Sequence, residues 1–534
     1  MPTTIRRRRA TVLAAACIAA ACLASAPVLT GVRSDGIPLA PGHRLVPGYT
    51  GAAATPRPVP GDGPPQHPHL APNGRSGMHA DAAGSGTYPW SGPLGRSPVV
   101  RSRAMAALGG ECATVTFDRA GRIVTVCGTF SGFVVRLLHP SSLATLAEYA
   151  LPQRPSTVEA ITRLDFSRIF KDTSGGAYAY LDDRDRLVLA DSRHHIVRLA
   201  HTRGPDGSWR FTVDADWDLT AHVPHDCVTW TNLRPSGDCD PVTSVMPDWD
   251  GRIWWVTRQG RVGTLDPADG TVRCMRLAGE EIQNSFSVAE DGVWIVSDHA
   301  LHSFRARPDG TPEVVWREEY DRGSGAKPGS VNRGSGTTPD LFGAGGRRYV
   351  AITDNADDRM NVLVYRRDAA APDDRRLVCA VPVFTHGRST TDNSLVSWGN
   401  SLVVENNYGY ENVTSLLFGR GVTGGVTRVD VRADGSGCDT VWESPVRSPS
   451  TVPKLSTANG LLYLYGKDPH PLGIDAWYLT ALDFHTGEER WRRLTGTGAL
   501  YDNNWAPITL GPDGTAYVGV FNGLVAVRDG THGR

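Results

Sequence analysis

The sequence predicts an all-β fold, an eight-bladed β-propeller, on two observations. From about residue 110 onward, short runs rich in Val, Ile, Leu, Tyr and Trp are separated by turns that contain Asp or Asn and end in Gly, as at 118–121, 248–251 and 511–514. Four such strands recur with a period of about 40 to 50 residues, which is the pattern of one propeller blade. Because propellers host binding proteins and enzymes alike, this pattern predicts an architecture and not a reaction.

Eight blades are counted from the strand pattern, and long insertions near residues 152–173 and 216–241 leave seven blades as an alternative. The eight units span approximately 110–150, 174–215, 242–277, 284–320, 336–383, 391–443, 452–495 and 503–528. The last unit has only three strands. We expect residues 98–101, just before the first blade, to supply its outer strand, since this closes the ring and removes two open sheet edges.

The first 26 residues are typical of a secretion signal. Four arginines at 6–9 precede an apolar run over 10–23 and an Ala-Ser-Ala pattern at 24–26, and this run is too short to span a membrane. Export by the general or the twin-arginine route stays open. Cys22 follows a degenerate lipobox, so a lipid anchor there is an alternative. We therefore expect a secreted or cell-surface protein.

Residues 27–103 are expected to form a disordered linker. This stretch is dense in Pro, Gly, Ala and His and has no apolar periodicity. Such a composition cannot bury enough apolar surface to offset the entropy lost on ordering. The predicted order is therefore a signal peptide over 1–26, a disordered linker over 27–103 and a propeller over 104–530.

The overall charge limits the classes of partner. The formal net charge is -1, from 55 Lys and Arg against 56 Asp and Glu, which argues against a surface built for polyanions. We expect no nucleic-acid partner, no transmembrane segment after signal removal, and a monomer.

Seven of the nine cysteines follow the predicted signal. In an oxidising compartment, close spacing makes Cys112 with Cys127 and Cys227 with Cys239 the natural disulfide pairs. An odd number leaves at least one free thiol. None of the spacings is that of a zinc site.

One segment of the seventh blade resembles a known repeat. Residues 481–491 read Ala-Leu-Asp-Phe-His-Thr-Gly-Glu-Glu-Arg-Trp, similar to the A-x-D-x-x-T-G-x-x-x-W repeat of the quinoprotein-like (PQQ-dehydrogenase-type) propellers, and 264–270 is a degraded copy. The resemblance implies eight blades in which the Asp and Thr-Gly close an outer turn and the Trp packs between blades. It also implies a quinone-dependent oxidoreductase, but the dehydrogenases of that family carry an adjacent Cys-Cys pair and this chain has none, so PQQ is not expected.

The candidate ligand site is the top face, meaning the face on which the loops between second and third strands and the connections between blades open. Short amide and carboxyl side chains where innermost strands begin suit the binding of a small polar ligand, a sugar or an organic acid. The candidate ligand-binding residues are Asn284, Asp340, Asn393, Asn406, Asn407 and Asn503.

Four residues on the same face are candidates for acid–base chemistry. Asp392 and Glu405 would act as bases or metal ligands, and Lys454 or His470 as the cationic or acid partner. Lys454 stands out because only four of the 55 basic residues are lysines. We expect Asp392→Ala or Lys454→Ala to abolish ligand handling and to leave the melting temperature within a few degrees, as for surface groups.

A calcium site is a further hypothesis. Asp354, Asn355 and Asp357 form an oxygen-rich loop, and carboxylate and amide oxygens are the ligands that Ca²⁺ prefers. The loop lacks the glycine and the terminal glutamate of an EF-hand, so a structural turn is the alternative.

The sequence therefore favours a secreted propeller that binds or transforms a small polar ligand at the top of its central channel, with Ca²⁺-assisted acid–base chemistry as an enzymatic version. A non-catalytic extracellular binding or assembly scaffold and a quinone-dependent oxidoreductase are the alternatives. Whether the protein is an enzyme stays open.

Overall fold

The computed structural model describes residues 36–107, 109–129, 132–165, 167–368, 370–372 and 375–530. The predicted signal peptide, Cys22 and the first residues of the predicted linker lie outside this part of the chain. Within it, no helix combines the length and the apolar composition needed to cross a bilayer.

Eight antiparallel blades confirm the predicted propeller. Three strands precede the first blade: β1 (Tyr49–Gly51), β2 (Thr87–Tyr88) and β3 (Val99–Ala104). Blade 1 comprises β4 to β7 (Gly109–Phe117, Ile123–Thr129, Gly132–Leu138 and Thr145–Ala150), and blade 2 comprises β8 to β11 (Tyr180–Leu181, Leu187–Ala190, His195–Arg203 and Trp209–Asp218). Blade 3 comprises β12 to β15 (Val242–Pro247, Ile253–Thr257, Arg261–Leu265 and Val272–Arg276), and blade 4 comprises β16 to β19 (Ser287–Ala289, Gly292–Val296, Ala300–Ala306 and Pro312–Glu319).

Blade 5 comprises β20 to β23 (Asp340–Phe342, Tyr349–Thr353, Asn361–Arg366 and Leu377–Pro382), and blade 6 comprises β24 to β27 (Val396–Trp398, Ser401–Glu405, Val426–Val431 and Cys438–Ser444). Blade 7 comprises β28 to β31 (Lys454–Ser456, Leu461–Gly466, Ala476–Asp483 and Glu489–Thr497), and blade 8 comprises β32 to β34 (Ile508–Leu510, Ala516–Val520 and Gly523–Arg528). The insertion after blade 1 holds two short helices, α1 (Pro155–Arg163) and α2 (Ser167–Phe170), and a 3₁₀ turn (Ala499–Tyr501) follows β31.

The first strand of each blade is the innermost one, since first strands of neighbouring blades contact each other. The ring closes as the sequence predicts, because β3 pairs antiparallel with β34, from Val99 opposite Arg528 to Ala104 opposite Gly523. This pairing completes the eighth blade with a strand from the beginning of the propeller.

Recurrent Asp turns explain the sharp reversals between strands. In blade 1, Asp118 Oδ1 accepts hydrogen bonds from the main-chain N–H of Ala120 at 3.0 Å and of Arg122 at 2.8 Å, and Gly121 adopts a φ of +76°. The carboxylate thus replaces main-chain acceptors in the turn, and the glycine supplies the left-handed conformation at low cost.

The prediction of a disordered linker is wrong for residues 36–103. A central segment, residues 75–90, passes along the channel and meets the blades in their chain order. Its hydrogen bonds are Phe117 N to Arg75 O, Leu181 N to Ser76 O, Val288 N to Ala82 O, Leu341 N to Ala83 O, Ser397 N to Ser85 O, Leu455 N to Gly86 O and Trp90 Nε1 to Leu510 O.

The central segment is ordered because innermost strands present an unpaired edge to the channel. A buried main-chain N–H without a partner is costly, so a chain that satisfies several of these groups gains stability from ordering. Small side chains permit the close approach, as at Ala80, Ala82, Ala83, Gly84 and Gly86. The composition of this stretch suggested disorder because composition reports only apolar content. It does not report the unpaired main-chain groups of the innermost strands, to which this stretch binds.

Three disulfides link six of the seven described cysteines. The predicted pairs Cys112–Cys127 and Cys227–Cys239 are confirmed, with Cα atoms 3.8 and 4.8 Å apart. Cys112 lies directly opposite Cys127 on adjacent strands. A third bond, Cys379–Cys438, joins the outer strands of blades 5 and 6 across 59 residues, a separation that gave no signal in the sequence.

We expect peptide mapping under non-reducing conditions to recover three cross-linked peptide pairs from these bonds. Cys274, the free cysteine of the described chain, should be the one thiol of this region that iodoacetamide labels after denaturation. Labelling of Cys379 or Cys438 without prior reduction would contradict the bond between the blades.

Gly84 provides a test of the central segment. Its φ is +78°, and a Cβ atom there would lie 2.8 Å from Ser287 Oγ and 2.9 Å from Pro339 O. We expect Gly84→Ala to lower the free energy of unfolding by about 2–4 kcal/mol, from backbone strain plus steric conflict, measured by urea denaturation.

Gly121→Ala is the matched control for Gly84→Ala. Its φ of +76° is nearly the same, but no atom lies within 4 Å of the added Cβ. It should show the strain alone, about 1–2 kcal/mol. Equal losses at the two positions would mean that the central segment does not pack against blades 4 and 5 as described.

Candidate functional site

Polar side chains from the central segment and from blades 5 to 7 meet inside the channel. We call His79, Asp81, Asp340, Glu405 and Lys454 the channel cluster. Each is less than 10 % exposed. Two come from the central segment, and the other three begin or end strands β20, β25 and β28.

Lys454 lies at the centre of the channel cluster. Its side chain is fully buried, and its Nζ has no hydrogen-bond partner among the described residues. Burial lowers the pKa of its ammonium to about 8, although the carboxyls of Asp340, Asp81 and Glu405 act in the opposite direction. One ammonium therefore faces three carboxyls in a poorly solvated space.

Burial disfavours the ionised form of the carboxyls in the channel cluster. Burial raises the pKa of Asp340 well above its usual range, and its Oδ2 accepts a hydrogen bond from Leu395 N at 3.1 Å. Burial also raises the pKa of Asp81, against hydrogen bonds from Ser85 and from Ala83 N. Since one lysine cannot neutralise three carboxylates in a low-dielectric space, protonated carboxyls are favoured.

His79 ties the central segment to blades 5 and 6. Its Nε2 lies 3.2 Å from Thr338 Oγ1 and its Nδ1 lies 3.3 Å from Ser394 Oγ. Its ring stacks on Tyr178, with centroids 6.2 Å apart. Burial, followed by the charge of Lys454, lowers the pKa of the imidazole well below its usual range, so this ring is neutral.

Glu405 is joined to blade 6 residues by amide hydrogen bonds. Its Oε1 accepts from Asn393 Nδ2 and, at 3.3 Å, from Asn407 Nδ2. Asn407 Oδ1 in turn accepts from Thr391 Oγ1 at 2.8 Å and from Asp392 N at 3.1 Å. Burial raises the pKa of Glu405 to about 8, so at neutral pH this carboxyl is mainly protonated.

The mouth of the channel is formed by partly exposed groups. Asp392 is partly exposed, and its Oδ2 accepts a hydrogen bond from Val331 N. Burial raises the pKa of its carboxyl to about 7, against the charge of Lys171. Tyr178, also partly exposed, donates a hydrogen bond to Asn284 Oδ1 at 3.2 Å.

The structure brings most of the sequence-predicted site residues together. Asp340, Asn393, Glu405, Asn407 and Lys454 line the channel, with Asn284 and Asp392 at its mouth.

Three of the predicted residues lie apart and are used structurally. Asn406 Nδ2 donates to Arg388 O and Gly424 O, and Asn503 Nδ2 donates to Ala506 O and Gly519 O. His470 makes its hydrogen bonds with Gly419 and Leu472.

The three residues of the predicted calcium site already make hydrogen bonds within the protein. Asp354 accepts hydrogen bonds from Asn361 N and Nδ2, both at 2.6 Å. Asn355 Nδ2 donates to Arg322 O and Gly325 O, and Asp357 Oδ1 accepts from Ser324 N. Asn355 and Asp357 thus hold the segment 322–325, whereas Asp354 holds Asn361, and the calcium site stays a prediction.

Sequence analysis missed His79, Asp81 and Tyr178. The first two lie in the stretch taken for a linker, and Tyr178 lies in an irregular region before β8. The one usable signal was local. His79 and Asp81 are the only ionisable residues among the small residues of 79–86, and small residues allow a chain to enter a narrow channel.

Lys454 also requires a correction. The expectation that Lys454→Ala leaves stability unchanged assumed a surface position, and the structure buries this residue completely. Removing it would leave carboxyls that have lost their counter-charge, so we expect a large loss of stability.

A groove of 210 Å³ opens on the opposite face, between residues 62–65 and the outer ends of blades 3 to 6. It is lined in part by Trp398 and three arginines, Arg347, Arg348 and Arg367. Arg348 and Arg367 already pair with Asp291, at 3.0 and 2.5 Å. Because two of these three charges are paired within the protein, we take the top of the channel as the better candidate site.

Comparison with solved structures shows the fold. The quinohemoprotein alcohol dehydrogenase of Comamonas testosteroni is similar with a TM-score of 0.54 at 10% identity, over 86% of this chain and 80% of that chain. Quinohemoprotein alcohol dehydrogenase ADHIIG of Pseudomonas putida HK5 has a TM-score of 0.50 at 10% identity, over 86% and 81%. The fold-level resemblance to PQQ-type propellers is thereby confirmed.

Sequence relatives add little on function. No protein-family model matches the chain. An uncharacterized protein of Archaeoglobus fulgidus is 28% identical over 315 residues, which cover 53% of this chain and 60% of that protein. The match thus spans less than two thirds of the relative's length.

The residues present do not fit the quinone cofactor of the structurally similar dehydrogenases. The sequence has no adjacent cysteines, and the described cysteines other than Cys274 are consumed in three distant disulfides. The central segment also places His79 and Asp81 inside the channel.

Glu405 predicts a measurable pH dependence of stability. Because its pKa is raised in the folded state, the native protein binds more protons than the unfolded chain between about pH 4.5 and 8. Its stabilising contribution is complete below that window and is lost as pH rises. Through Glu405, the free energy of unfolding of the wild-type protein should fall by on the order of 3 kcal/mol between pH 4.5 and 7. We expect the Glu405→Gln variant not to show this fall, as measured by urea unfolding at the two pH values.

Glu488→Gln is the control for Glu405→Gln. Glu488 has a side chain that is 70% exposed in an outer turn, and its replacement should leave the pH profile as in the wild type. If Glu405→Gln also keeps the wild-type profile, burial does not control the protonation of Glu405.

Proposed function

We propose that the protein binds a small neutral polyhydroxylated ligand, a sugar, at the top of its central channel. The observation that carries this proposal is a pair of unsatisfied acceptors. Asp392 Oδ1 and Asn393 Oδ1 are buried and have no hydrogen-bond partner among the described residues. Buried polar atoms in native proteins are normally hydrogen-bonded, so these two are available to the hydroxyl groups of a ligand.

The charges in the channel favour a sugar over an organic acid. Asp81, Asp340 and Glu405 surround a single buried ammonium, that of Lys454, and Asp392 adds a carboxyl at the mouth. An organic acid would have to bring its carboxylate into this poorly solvated space, where the one ammonium already faces three carboxyls, so the loss of hydration disfavours its binding. Amides and protonated carboxyls instead offer both donors and acceptors, which match hydroxyl groups.

The central segment forms the bottom of the proposed site. His79 is bonded to Thr338 and Ser394, where the connections between blades enter the channel. A cavity of 20 Å³ beside His79, Asp81 and Tyr178 has the size of about one water molecule. A sugar is larger than this cavity, so we place the ligand above His79, at the mouth formed by Asp392, Asn284 and Tyr178.

Acid–base turnover of the same ligand is the second candidate, supported by one observation. Burial brings the pKa of Asp392 to about 7, so its carboxyl exchanges a proton at neutral pH, as a general acid or base must. Asp392 would be the proton-exchanging group. The three disulfides are compatible with an extracellular location, and we propose that the protein acts after export.

The test is calorimetric titration of the protein with a set of neutral mono- and disaccharides and with matching uronic and dicarboxylic acids. We expect neutral sugars to bind and Asp392→Ala to weaken the affinity at least tenfold, since a buried hydrogen-bonding group is lost. The melting temperature should change by only a few degrees, because Asp392 is partly exposed at the mouth.

Asp358→Ala is the matched control on the top face. Asp358 is 78% exposed and pairs with His386, so its removal changes the same charge away from the channel. Equal weakening by both variants would point to long-range charge and not to the channel site. A folded wild-type protein that binds none of the sugars contradicts the proposal and favours the scaffold alternative.

A further inference from the structure

The insertion between blades 2 and 3 places a histidine against a disulfide. A ring nitrogen of His194 and the Sγ atoms of Cys227 and Cys239 all lie within 4.8 Å of one another. His194 belongs to the loop between β9 and β10, and its side chain is buried. The spacing of the cysteines gave no sign of this group, because His194 comes from a different blade loop.

His194 is oriented as metal-binding histidines are. Its Nε2 lies 3.1 Å from Asp240 O. A carbonyl oxygen only accepts hydrogen bonds, so Nε2 carries the proton and Nδ1 keeps a free lone pair. Histidines that bind metals usually donate the other ring N–H to a carbonyl or carboxylate in this way, which fixes the ring.

His225 supplies a further nitrogen nearby. Its ring centroid lies 6.4 Å from that of His194, and its Nδ1 lies 3.3 Å from Val223 O, which leaves the lone pair of Nε2 free. Its main chain forms a β-bridge with Cys239. The two sulfurs and a ring nitrogen of His194 therefore surround one point on the top face, and His225 lies beside them as the candidate fourth ligand.

We propose that His194, His225, Cys227 and Cys239 form a zinc site when the disulfide between Cys227 and Cys239 is reduced. Two cysteines and two histidines are an established ligand set for structural zinc. This site is separate from the channel and does not depend on the proposed sugar binding.

The chemistry balances with a dithiol as the reductant. The dithiol gives two electrons and two protons to the S–S bond, which breaks into two thiols, and the dithiol becomes a disulfide. Zn²⁺ then displaces the two thiol protons and forms two Zn–S and two Zn–N bonds. A disulfide oxidant reverses the step: it takes two electrons from the two thiolates and two protons from water, becomes a dithiol, and the reformed S–S bond releases Zn²⁺.

The geometry allows this exchange with a small movement. In a tetrahedral site with Zn–S bonds of about 2.3 Å, the sulfurs stand about 3.8 Å apart. The Cα atoms of Cys227 and Cys239 are 4.8 Å apart, so side-chain rotation and a slight shift of the intervening loop suffice. That loop is exposed over most of residues 229–238. The disulfide and the metal are thus alternative ways to close one loop.

The experiment uses the full chain reduced with a phosphine under anaerobic conditions and titrated with Co²⁺, whose spectrum reports coordination. We expect one Co²⁺ per chain, with the d–d bands of a tetrahedral site and a thiolate charge-transfer band, displaced by Zn²⁺. His194→Ala keeps both thiols, and we expect it to weaken zinc binding at least tenfold and to shift the d–d bands. The oxidised protein should not bind.

Controls separate this site from the other thiols. Cys274→Ser removes the free thiol and should leave the stoichiometry at one, whereas Cys227→Ser with Cys239→Ser should abolish binding. Zinc should also raise the melting temperature of the reduced protein and not of the oxidised protein. A reduced chain that zinc neither binds nor stabilises, or a His194→Ala variant with wild-type affinity, overturns the proposal.

Discussion

The unpaired edges of the innermost strands are the constraint on which the channel depends. The central segment satisfies this constraint at successive blades, with one or two main-chain hydrogen bonds to each of several first strands. Each such group would cost about 1–3 kcal/mol if it were buried without a partner. The same segment places His79 and Asp81 in the channel. The candidate site therefore forms only when this Pro- and Gly-rich stretch becomes ordered.

Burial, more than pairing, sets the electrostatics of the site. Asp340, Glu405 and Asp392 all have raised pKa values, and Lys454 has a lowered one, with burial as the largest cause in every case. A lysine among carboxyls would stay fully charged in water, but here the low dielectric shifts the titration of each group toward its neutral form. The channel therefore offers hydrogen-bond donors and acceptors with little net charge, which is why a neutral ligand fits it better than an anion.

The similarity to quinohemoprotein dehydrogenases is a similarity of fold alone. At 10% identity, shared architecture says where a site lies and not what it binds. In this chain the cysteines form separate disulfides, and the channel is partly filled by its own N-terminal segment. The repeat at 481–491 fits the same picture, because Trp491 is fully buried in the core and Asp483 accepts a hydrogen bond from His485 N in the turn. Its residues serve packing.

The sequence by itself determined the blades, the closing strand, two disulfides and most of the channel residues. These follow from local patterns: period-two apolar strands, Asp and Gly turns, close cysteine spacing, and polar residues where an inner strand begins, such as Asp340 and Asn393. Only the tertiary structure decided the course of residues 75–90, the burial of Lys454, the Cys379–Cys438 bond and the approach of His194 to Cys227 and Cys239. Each of these depends on groups distant in sequence, and local patterns carry no information about contacts that form only when the blades and the central segment pack together.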